Sequence, residues 1–208
     1  LALAELERVN RSLGGYRTSL SGIRRLLPAD CRKFSLLDVG TGGADFPRYL
    51  CRWAEKRGIE VHIRGIDLSP IAVEYAREKC SPLTHVSIQQ RDLFDVSEDE
   101  PYDIVHSSHV LHHFNGAQAS QALAKMHALS RWGVVLNDGH RHPVAYYSFQ
   151  LLARLFSRSR LIKNDGPISI LRSFQRREIE AMAAERQLPP PRIRWHWAFR
   201  WEAVIPSR

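Results

Sequence analysis

Residues 34 to 139 switch repeatedly between two periodicities, and this alternation limits the possible folds more than any other feature of the chain. The short apolar runs "FSLLDVG", "VHIRGID", "HVSIQQ", "YDIVHSS" and "WGVVLND" read as buried strands. Between them stand "DFPRYLCRWAEKRG", "SPIAVEYAREKC" and "GAQASQALAKMHALS", with apolar residues at helical spacing. Pro47 falls in the first turn of one helix and Gly58 at its end, while Ser69 and Pro70 supply an N-cap and a first-turn proline. Strands joined through helices by short connections lie parallel, so the expectation is an α/β fold with a doubly wound sheet and helices on both faces. Such sheets take ligands at the carboxyl ends of their strands. The loops after residues 39, 67, 90, 107 and 138 should therefore share one crevice.

The flanks extend this unit without adding a second one. Roughly the first 27 residues are helical by apolar spacing, with a break at Gly14-Gly15 and a stop at Pro28. Residues 143 to 157 read as an aromatic-rich helix, "SRSRLIKNDGPIS" as a polar, basic connector, and residues 170 to 187 as one helix ended by Pro189-Pro190-Pro191. "RIRWHWAFRWEAVI" alternates like an antiparallel pair closing the sheet edge. Residues 1–33 are expected to form a helical N-terminal segment and residues 34–208 a single domain.

The first strand runs into a glycine-rich turn, "LLDVGTGGADFPRYL", residues 36 to 50. Glycine turns between a strand and a helix often hold a pyrophosphate. Here Asp38 precedes the turn, and Asp45 stands where a third glycine is usual. Two carboxylates at ~4 to 6 Å from a phosphate would cost on the order of kilocalories in a partly buried cleft. The turn suits a ligand that needs close backbone approach and carries positive charge. Asp67 ends the second strand, where a carboxylate can accept both hydroxyls of a ribose, and Asp92 ends the third.

The elements "LLDVGTGGA", "GIDLSP", "QQRDLF" and "YDIVHSSHVLHHF", in this order over about residues 34 to 140, resemble those of the class I S-adenosylmethionine-dependent methyltransferases. The chain departs from that pattern at Ala44, which replaces the usual last glycine. The resemblance implies a Rossmann-like seven-stranded sheet, mostly parallel, with an antiparallel C-terminal strand. It also implies S-adenosyl-L-methionine as the cofactor, a ligand with an ammonium, a sulfonium and no phosphate. Asp38 would accept from the ammonium, and Gly40, Thr41, Gly42 and Gly43 would approach the amino-acid moiety and ribose. Asp67 and Leu68 would meet the ribose and Asp92 and Leu93 the adenine, with Ser107 a further cofactor contact; the helical segment over residues 1–33 would be the lid that commonly precedes the first strand in this family.

The segment after the fourth strand faces the transferring methyl in such enzymes. The family pattern for methylation of base or amide nitrogen is absent there, and "HSSHVLHHF" stands in its place. Histidine titrates near neutrality and suits removal of a proton from a phenol or enol. "VLHHFNG" is similar to the segment holding the general base of phenolic O-methyltransferases, which points to His112, with His109, His113 and His140 as the other catalytic candidates. The same imidazoles, with Asp138, are the competing material for a metal site; no metal ligand is assigned. Tyr16, His142, Tyr146 and Tyr147 are candidate substrate contacts for a flat acceptor. The chain is similar to small bacterial quinone and phenol methyltransferases over "NDGHRHPVAYYSFQLLARLFSRSR". The expected reaction is O-methylation of a phenol, enol or quinol, with C-methylation of an electron-rich ring as the alternative.

Net charge +8 raises RNA as a further partner, through Arg158, Arg160, Lys163, Arg172, Arg176 and Arg177. Of the 30 basic residues only five are Lys, and the arginines are spread along the chain, so composition bias explains the charge better than a nucleic-acid surface. An NAD-dependent oxidoreductase shares the Asp67 signal. Three isolated cysteines fit reduced thiols in a cytoplasmic protein. No apolar run is long enough for a membrane span, and the assembly is expected to be a monomer or homodimer.

Overall fold

The computed structural model describes residues 2–99, 101–156, 160–197 and 199–207. Two helices come first, α1 (Ala2–Ser12) and α2 (Gly15–Leu26). Then strand and helix alternate: β1 (Lys33–Val39), α3 (Asp45–Glu55), β2 (Glu60–Asp67), α4 (Pro70–Cys80), β3 (Val86–Gln90), β4 (Tyr102–Ser108), α5 (Gly116–Ala128) and β5 (Ser130–Gly139). Helices α6 (Pro143–Phe156), α7 (Arg160–Arg172) and α8 (Arg176–Glu185) lead to the hairpin β6 (Arg192–His196) and β7 (Arg200–Pro206).

The strands form one seven-stranded sheet in the order β3-β2-β1-β4-β5-β7-β6. β1 to β5 are mutually parallel where they pair, and β7 runs antiparallel to both β5 and β6. The order reverses between β1 and β4, and the crevice opens at that switch point.

Adjacent residues on each central strand feed opposite cores, as the two-residue period of a strand requires. Leu36, Val135 and Val204 pack with Ile23 of α2 and Leu50 of α3. Their neighbours Leu37, Val134 and Ala203 pack with Leu123 and Met126 of α5 and Ile179 of α8. Each fully buried Leu or Met contributes roughly 1.5–3 kcal/mol by leaving water. Burial on both faces is why these strands are continuously apolar in sequence.

Local signals hold where they were read. Ser69 caps α4 by accepting from Ala72 N at 3.3 Å; Asn115, not singled out in the sequence, caps α5 by accepting from Gln118 N at 3.0 Å. Two expectations fail. The polar connector is instead mostly α7, with Pro167 inside it, and α7 packs on α6. Gly166 sits so close to Phe149 that a Cβ there would lie 2.0 Å from the ring, so helix pairing overrides poor local propensity. The expected helix over 170–187 is split: α7 ends at Arg172, and α8 starts afresh after Gln175, whose amide donates to Glu178 Oε2 at 2.6 Å in a capping box. Of the basic residues considered for RNA, Arg158 and the side chains of Arg160 and Lys163 lie outside the described residues. Among the described residues, no helix is long and apolar enough to cross a membrane.

Candidate active site

β1 ends in a turn that needs left-handed backbone three times, at Gly40 (φ 66), Gly42 (φ 53) and Ala44 (φ 51). A Cβ on Gly40 would stand 2.2 Å from Val110 Cγ2, so glycine is required for the turn to close on the loop after β4. Thr41 N donates to Ile66 O at 2.9 Å, and Gly42 N donates to Asp67 Oδ2 at 2.9 Å. The other Asp67 oxygen accepts from Ser69 N at 2.9 Å. The Asp67 carboxylate thus bridges the glycine turn and the start of α4. A Cβ on Gly42 would meet nothing within 4 Å, so bare backbone faces open space beside Asp67. Gly43, by contrast, lies under the ring of Tyr75.

Asp92 accepts from Phe94 N at 2.9 Å and so starts the short turn over Leu93–Asp95. Leu93 is a core residue beside Val39 and Ile66, while Leu68 is 65% exposed. Ser107 Oγ donates to Val39 O at 3.3 Å, which ties β4 to β1 at the switch point.

Asp38 is expected to meet a ligand ammonium; in the structure both its oxygens also hold protein partners, as both oxygens of Asp67 do. Asp38 Oδ1 lies 2.5 Å from His106 Nδ1, and Oδ2 accepts from Thr41 Oγ1 at 2.7 Å. His106 is completely buried, and its Nε2 is 2.8 Å from Ser19 Oγ of α2. Asn137 Nδ2 donates to Ser19 Oγ at 2.9 Å and to Gly15 O at 3.0 Å. Asp38 therefore braces the turn and links it to α2. Asp45 is the carboxylate with capacity to spare. Its Oδ2 is buried with no hydrogen-bond partner among the described residues. Burial raises its pKa above the usual carboxylate value, Asp38 adds to the rise, and the neighbouring Tyr16 and Asn10 oppose it. Its sequence signal was its place at the third glycine position, read only as a negative charge. None of Asp38, Asp45, Asp67 and Asp92 is ion-paired to Lys or Arg among the described residues, so this donor set favours a cationic ligand.

The histidines after β4 meet the end of β5. His112 is 4% exposed, and its Nδ1 donates to Asp138 Oδ1 at 2.8 Å. Gly139 N donates to the same oxygen at 2.7 Å, and Asp138 Oδ2 is buried without a partner among the described residues. Burial works against the Asp138 charge, but His112 and His109 more than offset it, and the pKa lies below the carboxylate norm. His109, in left-handed backbone at φ 57, accepts from Arg200 through Nε2, and its Nδ1 stands 3.6 Å from Asp138 Oδ1. Burial, then the Arg200 charge, push its pKa down to about 3. With its Nε2 lone pair facing a guanidinium, His109 is held neutral. Arg200 is 4% exposed, donates to Asn10 Oδ1 at 3.2 Å, and has its own pKa lowered to about 10 by burial.

His113 is exposed, with its ring 4.4 Å from that of His112. His140 follows β5; its Nδ1 is buried without a partner among the described residues, and burial, then His142, lower its pKa. His142 stacks on Phe199 at 5.2 Å. Tyr16 is buried against Tyr49 and donates to Glu7 O at 3.3 Å; burial, then the Asp45 charge, raise its pKa. Tyr146 lies edge-on to Tyr147, which is 67% exposed. Sequence reasoning missed Arg200 and Asn10, which have no local motif and reach the site only through tertiary folding. His109, His112 and Asp138 also present ligand-type atoms within 4.8 Å of one another.

Residues 36–133 match the family model described as a methyltransferase domain. No curated protein matches the chain. Among solved structures, magnesium protoporphyrin IX methyltransferase from Synechocystis PCC 6803, with S-adenosylhomocysteine bound, is 15% identical with a TM-score of 0.66, over 96% of this chain and 87% of that one. A S-adenosylmethionine-dependent methyltransferase from Aquifex aeolicus is 13% identical with a TM-score of 0.69, over 100% and 97% of the two chains. An O-methyltransferase family protein from Burkholderia thailandensis is 14% identical with a TM-score of 0.70, over 99% of this chain and 59% of that one. The matched segment reads as a methyltransferase domain, and the whole chain shares the fold of solved S-adenosylmethionine-dependent methyltransferases.

Proposed function

We propose that this methyltransferase acts on the hydroxyl oxygen of a small aromatic acceptor, a phenol, enol or quinol, with His112 as general base. The observation that carries the reading is the buried pair His112 Nδ1–Asp138 Oδ1 at 2.8 Å. A carboxylate on Nδ1 fixes the tautomer, so Nε2 carries the lone pair. Nε2 makes no hydrogen bond among the described residues. Asp138 also stabilises the imidazolium that proton uptake creates.

S-adenosylmethionine supplies a methyl group on a sulfonium. His112 Nε2 would take the hydroxyl proton of the acceptor as that oxygen is methylated, and Asp138 would hold the resulting imidazolium. Asp67 and the bare backbone at Gly42 suit the ribose, and Asp45, with its unpartnered Oδ2, suits the ammonium. Helices α1 and α2, within residues 1–33, serve as the lid. This is supported by Asn10 reaching Arg200 and by Tyr16 packing beside Tyr49. Tyr146, Tyr147 and His142 lie on the acceptor side. The Burkholderia relative's O-methyltransferase family is consistent with transfer to oxygen.

Arg200 already places a positive charge against His109, and a bound cation would have to displace it or tolerate it. The His109–His112–Asp138 cluster is therefore read as handling a proton. RNA is the weaker partner, since Arg176 pairs with Glu180 at 2.8 Å on its own helix. A labelled-methyl assay against phenols, quinols and tRNA tests the proposal. Label in a phenol or quinol ether is the expected result; label in tRNA alone, or on ring carbon, refutes it.

A further inference from the structure

A second cavity, of about 390 Å³, lies away from the crevice, between α2 and the edge strand β6. Arg17, Ser21, Arg24 and Arg25 line it from α2, Arg194 lines it from β6, and Leu20 completes it. On α2 these positions recur every three to four residues, so they form one stripe along the helix. The opposite side of α2 is buried and carries Ser19 against His106, so the stripe is a separate surface from the one serving the methyl-transfer site.

The charge is unbalanced. Among the described residues, no acidic side chain lines the cavity. Arg25 alone is compensated, by the fully buried Glu202 of β7, which also accepts from His196 at 3.1 Å. Among the described residues, Arg17, Arg24 and Arg194 make no ion pair, although arginines elsewhere, such as the half-buried Arg141 and the exposed Arg176, do. Surface charge that merely solubilises is normally interspersed with the opposite sign. Here the guanidinium groups converge on one concavity and repel each other until an anion joins them. Guanidinium forks match the oxygens of phosphate in bidentate fashion, and several forks suit more than one phosphate. The volume lies within the range of small-molecule pockets, and the lining comes from one helix and one strand, not from a long basic strip.

We infer that the cavity between α2 and β6 binds a small, multiply charged phosphate-bearing molecule, at a site distinct from the methyl-transfer crevice. Isothermal titration of the full chain with inorganic pyrophosphate tests this. We compare wild type with the Arg24→Ala/Arg194→Ala double variant, both side chains being exposed and outside the active site. Binding of one pyrophosphate per chain, weakened at least tenfold in the double variant while S-adenosylhomocysteine affinity is kept, supports the inference. Equal pyrophosphate affinity in the two proteins overturns it. So does a wild type that ignores pyrophosphate but sediments with phosphatidylglycerol vesicles or retains tRNA, since either marks a macromolecular surface. Because pyrophosphate binding is read without methyl transfer, failure here leaves the proposed reaction untouched.

Discussion

Asp45→Asn separates the roles of the acidic residues around the glycine turn. Asp45 keeps a buried oxygen without a partner, whereas both oxygens of Asp38 are committed to His106 and Thr41. A hydrogen bond to a charged group contributes about 1.5–3 kcal/mol. At 1.36 kcal/mol per decade, losing that contact to the ammonium weakens binding roughly ten- to hundredfold. Titration calorimetry with S-adenosylhomocysteine reads the loss. 5′-Methylthioadenosine, which has the same nucleoside but neither ammonium nor carboxylate, is the control, and its affinity should change less than twofold. The variant also removes a charge that burial disfavours. The raised Asp45 pKa means the folded state holds its proton more tightly than the unfolded chain does. That contribution to stability is present below the ordinary carboxylate pKa and is lost as pH rises through the raised folded value. At neutral pH the ligand-free variant should therefore melt higher, by about 2–4 °C if the relief is near 1 kcal/mol. Equal weakening of both ligands, or of neither, would refute the assignment of Asp45 to the ammonium.

Other outcomes follow from the same geometry. His112→Ala should lower kcat by about 10²- to 10⁴-fold, the usual range for a general base, with S-adenosylhomocysteine affinity held within about twofold because His112 lies outside the cofactor-binding acids. Gly40→Ala should cost roughly 2–4 kcal/mol, combining overpacking against Val110 with left-handed strain; adding Val110→Ala should recover the steric share in denaturant melts. His109, whose pKa falls from 6.5 to about 3 on folding, stays neutral while the unfolded chain takes up a proton. Its contribution is complete above pH 6.5 and shrinks on acidification toward pH 3, so His109→Asn should show a shallower loss of stability across that window. Chelation by EDTA should leave turnover unchanged if Arg200 supplies the only positive charge at the His109–His112–Asp138 cluster; loss of activity restored by a divalent metal would reassign the cluster.

The parts legible in the sequence were those set by local rules. Period and capping gave β1 to β5 and the helices between them, because buried parallel strands are apolar on both faces, as Leu36 and Leu37 are. The glycine turn, Asp67 and the histidine run were visible as residue types at definite spacings. Pairings made by tertiary folding were not visible. That Asp38 also engages His106, 68 residues later, cannot be read from its motif. That His109 faces Arg200, 91 residues on, is likewise invisible in its motif. Helix α7 contains a glycine and a proline that mark a loop by propensity, and only packing against Phe149 explains the helix.

The central claim, proton removal by His112 held by Asp138, is tested most directly by varying the acidity of the acceptor. Single-turnover methyl transfer would be timed for the best phenol from the panel and for its nitro-substituted analogue, already ionised at assay pH, in wild type and His112→Ala. The account predicts that His112→Ala loses at least a hundredfold with the ordinary phenol and less than about fivefold with the ionised one. An equal loss with both phenols would contradict it, since a base has nothing to remove from a phenolate.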